Sequence, residues 1–144
     1  MCSSDLGRFR SGTKVDLIAK VPLFAGLSRR ELGQVASIAD EIDLPEGKVL
    51  IREGERGREF YVLLDGEAVV TRDGKRLATR RAGEFLGEIA LVTNLPRVAT
   101  VTTQKPVRAL VIRDVEFRAL LQRTPAIALK VLNAVGARLP PDAL

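Results

Sequence analysis

The sequence predicts an α+β fold: an antiparallel, jelly-roll-like β-roll with an N-terminal helical segment and two C-terminal helices. Three observations carry this. Between Ile42 and about Arg113, short apolar stretches are punctuated by Gly47, Gly54, Gly57, Gly66, Gly74 and Gly83, the rhythm of antiparallel strands joined by tight turns. Asp73-Gly74 is a two-residue hairpin signal between Val69–Arg72 and Lys75–Thr79. Helix-start signals flank this region on both sides, Ser28 with Glu31 before it and Thr124-Pro125 after it.

In chain order, residues 1–13 are polar and glycine-containing and read as a loose tail, and residues 14–139 as a single domain. Val15–Ala19 begins a short helix that Pro22 and Gly26 break. Ser28 and Glu31 then form a capping box ahead of Leu32, Val35 and Ala36. The β-roll occupies about 42–113. Within it Phe60–Leu64 is continuously apolar, as expected of a strand covered on both faces, and Val98–Thr103 and Ala109–Ile112 supply two further strands. Over about 114–139, Asp114 is the expected cap of a helix carrying Phe117, Leu120 and Leu121. Thr124-Pro125 opens a last helix whose stripe is Ala128, Val131, Leu132 and Val135, stopped by Pro140 and Pro141.

Composition narrows the chemistry. The chain has 144 residues, 46% of them hydrophobic, enough for one core and too few for two ordinary domains. It contains no histidine and a single cysteine, Cys2, which disfavours the usual zinc sites, histidine-activated nucleophiles and an internal disulfide. The remaining carboxylates fall mostly in turns or beside basic residues, so no catalytic residue and no metal ligand is assigned. No apolar run approaches a membrane span and no signal-peptide core is present, so the chain reads as soluble and cytoplasmic. The net charge of +5 suits an anionic ligand, a nucleic acid or an anionic membrane surface, and a solvated basic face is the simpler reading. Arg72, Lys75, Arg76, Arg80 and Arg81 cluster at one hairpin and read as a solvated face. Aromatic residues make up only 4%, too few for a single-strand stacking platform, so no nucleic-acid contact is expected of this chain alone.

The most informative segment runs through 83–101. Gly87 lets the backbone approach a ligand, the turn after it aims peptide N–H groups of Glu88, Ile89 and Ala90 at an anion, and Pro96 delivers Arg97 in extended backbone rather than in a helix. A carboxylate beside a phosphate repels it unless it addresses another part of the ligand, and a ribose hydroxyl is the natural donor for Glu88. The pair points to a sugar phosphate or nucleotide. A plain Arg97–Glu88 salt bridge pinning a short helix to a strand is the competing reading.

This segment resembles the phosphate-binding cassette of the cyclic-nucleotide-binding domain family. The run from Leu50 to Gly66 (Leu, Ile, Arg, Glu, Gly, Glu, Arg, Gly, Arg, Glu, Phe, Tyr, Val, Leu, Leu, Asp, Gly) is similar to the upstream signature of that family. The resemblance covers roughly Val21 to Gln122. It implies a β-roll and a site in which Arg97 and the amides around Gly87–Ala90 hold the phosphate and Glu88 takes the ribose 2′-hydroxyl. It further implies that Ala99 lies against the phosphate through its backbone and that Leu86 lines the sugar and base. Ile89 and Leu91 are expected to pack into the roll, with any contact from Ile89 or Ala90 made by backbone, and Gly54, Gly57 and Gly66 are read as turn residues. Val98 departs from the family pattern, where a small or hydroxyl-bearing residue follows the arginine. Valine offers no group to a guanine amino group, which favours cAMP over cGMP as the ligand. The implied function is non-catalytic sensing of a cyclic nucleotide with no cofactor. The last helix has three roles open to it: covering the base, packing on the roll, or pairing with a second subunit. The output requires a homodimer or an effector domain in trans, unless the chain is a piece of something larger. The alternatives are a DNA-associated regulator, or a fragment of one, and a degenerate domain serving as an interaction module.

Overall fold

The computed structural model of the chain describes residues 10–93 and 95–138. Among the described residues the first helix, labelled α1, spans Arg10–Ala19, so the backbone of residues 10–13 is helical where a tail was expected; the rest of that tail, Cys2, Pro140 and Pro141 lie outside the described residues. A 3-10 turn at Pro22–Phe24 follows, and then α2, Arg29–Ile38. Its capping box is formed as expected: Ser28 Oγ accepts from the Glu31 N–H at 3.1 Å and Glu31 Oε1 accepts from the Ser28 N–H at 2.9 Å.

Among the described residues, eight strands form two four-stranded antiparallel sheets. They are β1 (Ala39–Leu44), β2 (Val49–Ile51), β3 (Glu59–Asp65), β4 (Glu67–Arg72), β5 (Lys75–Arg81), β6 (Phe85–Leu86), β7 (Thr100–Thr103) and β8 (Val107–Arg113). One sheet has the order β1-β8-β3-β6 and the other β2-β7-β4-β5. The chain changes sheet between β3 and β4 at Gly66, where φ is +92° and an added Cβ would lie 2.3 Å from the Pro106 carbonyl oxygen. The β4–β5 hairpin turns on Asp73 (φ 52°) and Gly74 (φ 78°), both left-handed as a type I′ turn requires.

The continuous apolar run in β3 has its expected cause. Phe60 and Val62 face a core shared with the helices, whereas Tyr61 and Leu63 face the interior of the roll with Ala68, Leu86, Val101 and Ala109. Strand β8 divides in the same way, Leu110 and Ile112 outward to the helices and Val107 and Ala109 inward.

The remaining helices are α3 (Glu88–Thr93), α4 (Asp114–Arg123) and α5 (Pro125–Arg138). Two expectations there are corrected. Arg113, not Asp114, is the N-cap of α4, because β8 runs directly into the helix. Asp114 is the first helical residue, its carboxylate accepting from the Val115 N–H at 2.8 Å. The buried stripe of α5 is Ile127, Val131 and Val135, spaced by four, while Leu132 is 60% exposed. Phe117 of α4 stacks on Phe60 with centroids 4.2 Å apart, and Lys130 of α5 donates to the Pro22 carbonyl at 2.8 Å, tying the C-terminal helices to the sheet and to the N-terminal segment. Among the described residues no helix is long and apolar enough to cross a membrane.

Candidate functional site

Strand β6 ends at Gly87, whose φ of +90° turns the chain from strand to helix. The first-turn N–H groups of α3, at Glu88, Ile89 and Ala90, have no helical carbonyl four residues earlier to bond, and they open beside this turn. Ile89 and Leu91 point the other way, into the core, as their apolar character requires.

Arg97 comes to the same place from the other side. Strand β7 begins only at Thr100, later than the expected Val98, because Arg97 pairs with the loop before β3 instead of with a sheet. Its N–H donates to the Glu55 carbonyl and its own carbonyl accepts from the Gly54 N–H, each at 2.7 Å. The guanidinium turns inward, with Nη1 donating to the Gly87 carbonyl at 2.9 Å and Nη2 to the Glu59 carbonyl at 2.8 Å. The two sequence signatures therefore meet on this one side chain. It is only 7% exposed, and among the described residues it pairs with no carboxylate. Burial pulls its pKa downward, opposed by Tyr61, Glu59 and Glu88, but a guanidinium stays charged at neutral pH. A buried cation held by neutral carbonyls is oriented without being neutralised.

Glu88 is 1% exposed and does not bond Arg97, so the simple salt-bridge reading is set aside. Its partner is Arg138, at the end of α5. Arg138 Nη1 donates to Glu88 Oε1 at 2.9 Å and to the Phe85 carbonyl at 2.7 Å, and the guanidinium lies 4.8 Å from the Phe85 ring centroid.

Leu86, Gly87, Glu88, Ile89, Ala90, Arg97, Val98 and Ala99 all line one cavity of about 270 Å³. The hairpin contributes Val70, Arg72, Leu77, Ala78 and Arg80, and α5 contributes Ala137 and Arg138. Sequence reasoning placed Arg80 on a solvated face. In the fold it turns to the cavity, reaches Glu84 at 3.7 Å, and has its pKa lowered by burial and by the nearby Arg138 charge. Alternation along the strand could have found it, since residues 78 and 80 share a face. No local signal points to Arg138, which reaches Glu88 only through the packing of α5. Gly57, read as a turn residue, has no positive φ and instead lies against Ala90 and Arg97.

Comparison with known proteins agrees with the geometry. The family model described as "Cyclic nucleotide-binding domain" matches residues 41–124, more than half of the chain. A putative potassium channel protein of Rhodopseudomonas palustris is 30% identical over 125 residues, 85% of this chain and 30% of that protein. The cAMP-dependent protein kinase regulatory subunit of Yarrowia lipolytica is 34% identical over 106 residues, 72% of this chain and 28% of that protein. The chain thus spans less than a third of either curated relative. Among solved structures, the regulatory domain of Toxoplasma gondii PKA, crystallised with cAMP, superposes with a TM-score of 0.81 at 24% identity, covering 90% of this chain and 51% of that one, a likeness of fold.

Proposed function

Because the chain belongs to the cyclic-nucleotide-binding domain family, we propose that it is a non-catalytic sensor of a cyclic nucleotide, cAMP before cGMP, that reports occupancy through its C-terminal helix. One observation carries this reading: a buried arginine whose guanidinium is fixed by the Gly87 and Glu59 carbonyls and makes no ion pair among the described residues, at the mouth of a strand-to-helix turn. A cyclic phosphate brings one negative charge, matching Arg97. Glu88, the carboxylate of the cavity, is paired with Arg138 instead.

In this reading Arg97 and the amides of Glu88 to Ala90 hold the phosphate, with Ala99 against it, and Glu88 accepts the ribose 2′-hydroxyl. Leu86 and the apolar hairpin residues Val70, Leu77 and Ala78 receive the sugar and base. Val98 presents no polar group, so a guanine amino group gains nothing there. The names of two relatives, one a cAMP-dependent kinase regulatory subunit and one a structure with cAMP, support the same ligand.

The ribose hydroxyl and Arg138 address the same carboxylate. Ligand entry therefore changes the contact that ties the end of α5 to the roll, and a partner domain or second subunit in trans reads that change. The test is thermal unfolding with and without nucleotide, since a ligand that binds only the folded chain raises the midpoint by mass action. A midpoint raised by cAMP and unmoved by 5′-AMP supports the reading; equal midpoints in all three conditions count against it.

A further inference from the structure

We propose that Gly57 is a positioning residue for Arg97: its missing side chain is the space into which Ala90 and the guanidinium pack, and this fit sets the distance between the arginine and the first-turn amides of α3. The inference rests on the reading of Arg97 as the phosphate-binding group. The glycines of the loop before β3 differ in kind. Gly54 has a φ of +87° with nothing within 4 Å of an added Cβ, so it is glycine for its backbone conformation. Gly57 has no positive φ and is buried, yet an added Cβ would lie 2.7 Å from Ala90 Cβ, 3.2 Å from Arg97 Cζ and 3.3 Å from Arg97 Nε. It is glycine for space alone.

The neighbours have little room to yield. Ala90 Cβ moves only with the backbone of α3, and α3 is anchored in the core through Ile89 and Leu91. The guanidinium is bounded on its other side by Gly87, where an added Cβ would lie 2.8 Å from Nη1, and is tethered to Gly87 and Glu59. A methyl group at position 57 therefore spreads Ala90 from Arg97, and two groups that must grip one phosphate lose their spacing. Ala90 and Gly57 act as a size pair: one methyl group is accommodated between the two positions, and a second is not.

The experiment is calorimetric titration with cAMP of the full chain and of Gly57→Ala, Ala90→Gly, the double variant, Arg97→Ala and Arg97→Ala with Gly57→Ala, with the unliganded thermal midpoint of each recorded. Gly57→Ala is expected to bind cAMP about tenfold more weakly, as a misplacement of a few tenths of an ångström up to one ångström costs a binding group. Moving the methyl group from 90 to 57 recovers most of that loss, and Gly57→Ala costs nothing further once Arg97 is gone. A midpoint that drops while the folded protein keeps wild-type affinity overturns the positioning role. So does a double variant no better than Gly57→Ala, or a full second loss in the Arg97→Ala background. Silence of the wild-type chain toward cAMP instead removes the phosphate reading itself, and this inference with it.

Discussion

Arg138 Nη1 lies 2.9 Å from Glu88 Oε1, joining the last turn of α5 to the first residue of α3 across fifty positions of sequence. Glu88 is nearly inaccessible while the Arg138 side chain is 18% exposed, so the pair sits at the rim of the cavity with its acidic end inside. The same guanidinium rides on Phe85, which packs at 5.6 Å from Phe60, which in turn stacks on Phe117 of α4. The end of α5 is thereby tied to the element that carries the amides and, through three aromatic rings, to α4.

Arg138→Met keeps apolar cover over Phe85 and leaves Glu88 buried without its cation. Losing a fully buried partner costs about 3–5 kcal/mol, and partial exposure of Arg138 reduces this to about 1–3 kcal/mol. Urea unfolding of the unliganded chain should show a loss in that range at an unchanged denaturant slope. Hydrogen exchange of the last two turns of α5 should respond to cAMP in the wild type and not in this variant. A helix end whose protection ignores cAMP in both would remove Arg138 from the signalling account.

Arg97→Ala should weaken cAMP binding by about 2–5 kcal/mol, roughly 30-fold to several thousand-fold, because a buried charge partner of the phosphate is removed. Arg97→Lys keeps the charge but cannot bond the Gly87 and Glu59 carbonyls with a planar fork, so it should recover less than half of that free energy. A change below threefold for the alanine variant would show that Arg97 does not hold the ligand.

Val98→Thr should raise cGMP affinity relative to cAMP, by about threefold to tenfold for one neutral hydrogen bond. Val98 lines the cavity and is half-buried, and it also packs against the helix-side core where threonine adds a hydroxyl, so the thermal midpoint of the variant is recorded beside the affinities. Parallel titrations with the two nucleotides check it; an unchanged ratio would place base choice elsewhere, for instance on the hairpin.

Thr103 offers a test of the scaffold apart from the ligand. Its hydroxyl donates to the Pro45 carbonyl at 2.6 Å and accepts from the Lys48 N–H at 2.8 Å, and it is 2% exposed. Thr103→Val should therefore cost about 1–3 kcal/mol by leaving both backbone groups unpaired. Urea unfolding gives the cost directly, and cAMP affinity should stay unchanged because the residue lies away from the cavity.

What was legible in the sequence was local. The Asp73-Gly74 turn, the Ser28–Glu31 capping box and the doubly covered β3 each follow from residues within a few positions, and the cassette from 86 to 99 is compact enough to be read as a unit. What escaped depends on packing at long range. Helix α5 is apolar nearly all round, with Ile127, Leu129, Val131, Leu132 and Val135, so its periodicity does not choose a face, and only the roll beneath it selects Ile127 over Leu132. Arg138 reaches Glu88 and Arg80 reaches the cavity through the same tertiary packing. Gly57 resembles its turn-forming neighbour Gly54 in sequence and differs from it only in what stands beside it.

The most direct test of the central claim is isothermal titration calorimetry of the purified chain with cAMP, with cGMP and 5′-AMP run in parallel. Saturable binding of one cyclic nucleotide per chain is expected, with cAMP tighter than cGMP and both tighter than 5′-AMP, whose second phosphate charge Arg97 alone does not match. No heat from either cyclic nucleotide, with the chain shown folded by its thermal transition, would contradict it and leave an interaction module in the place of a sensor.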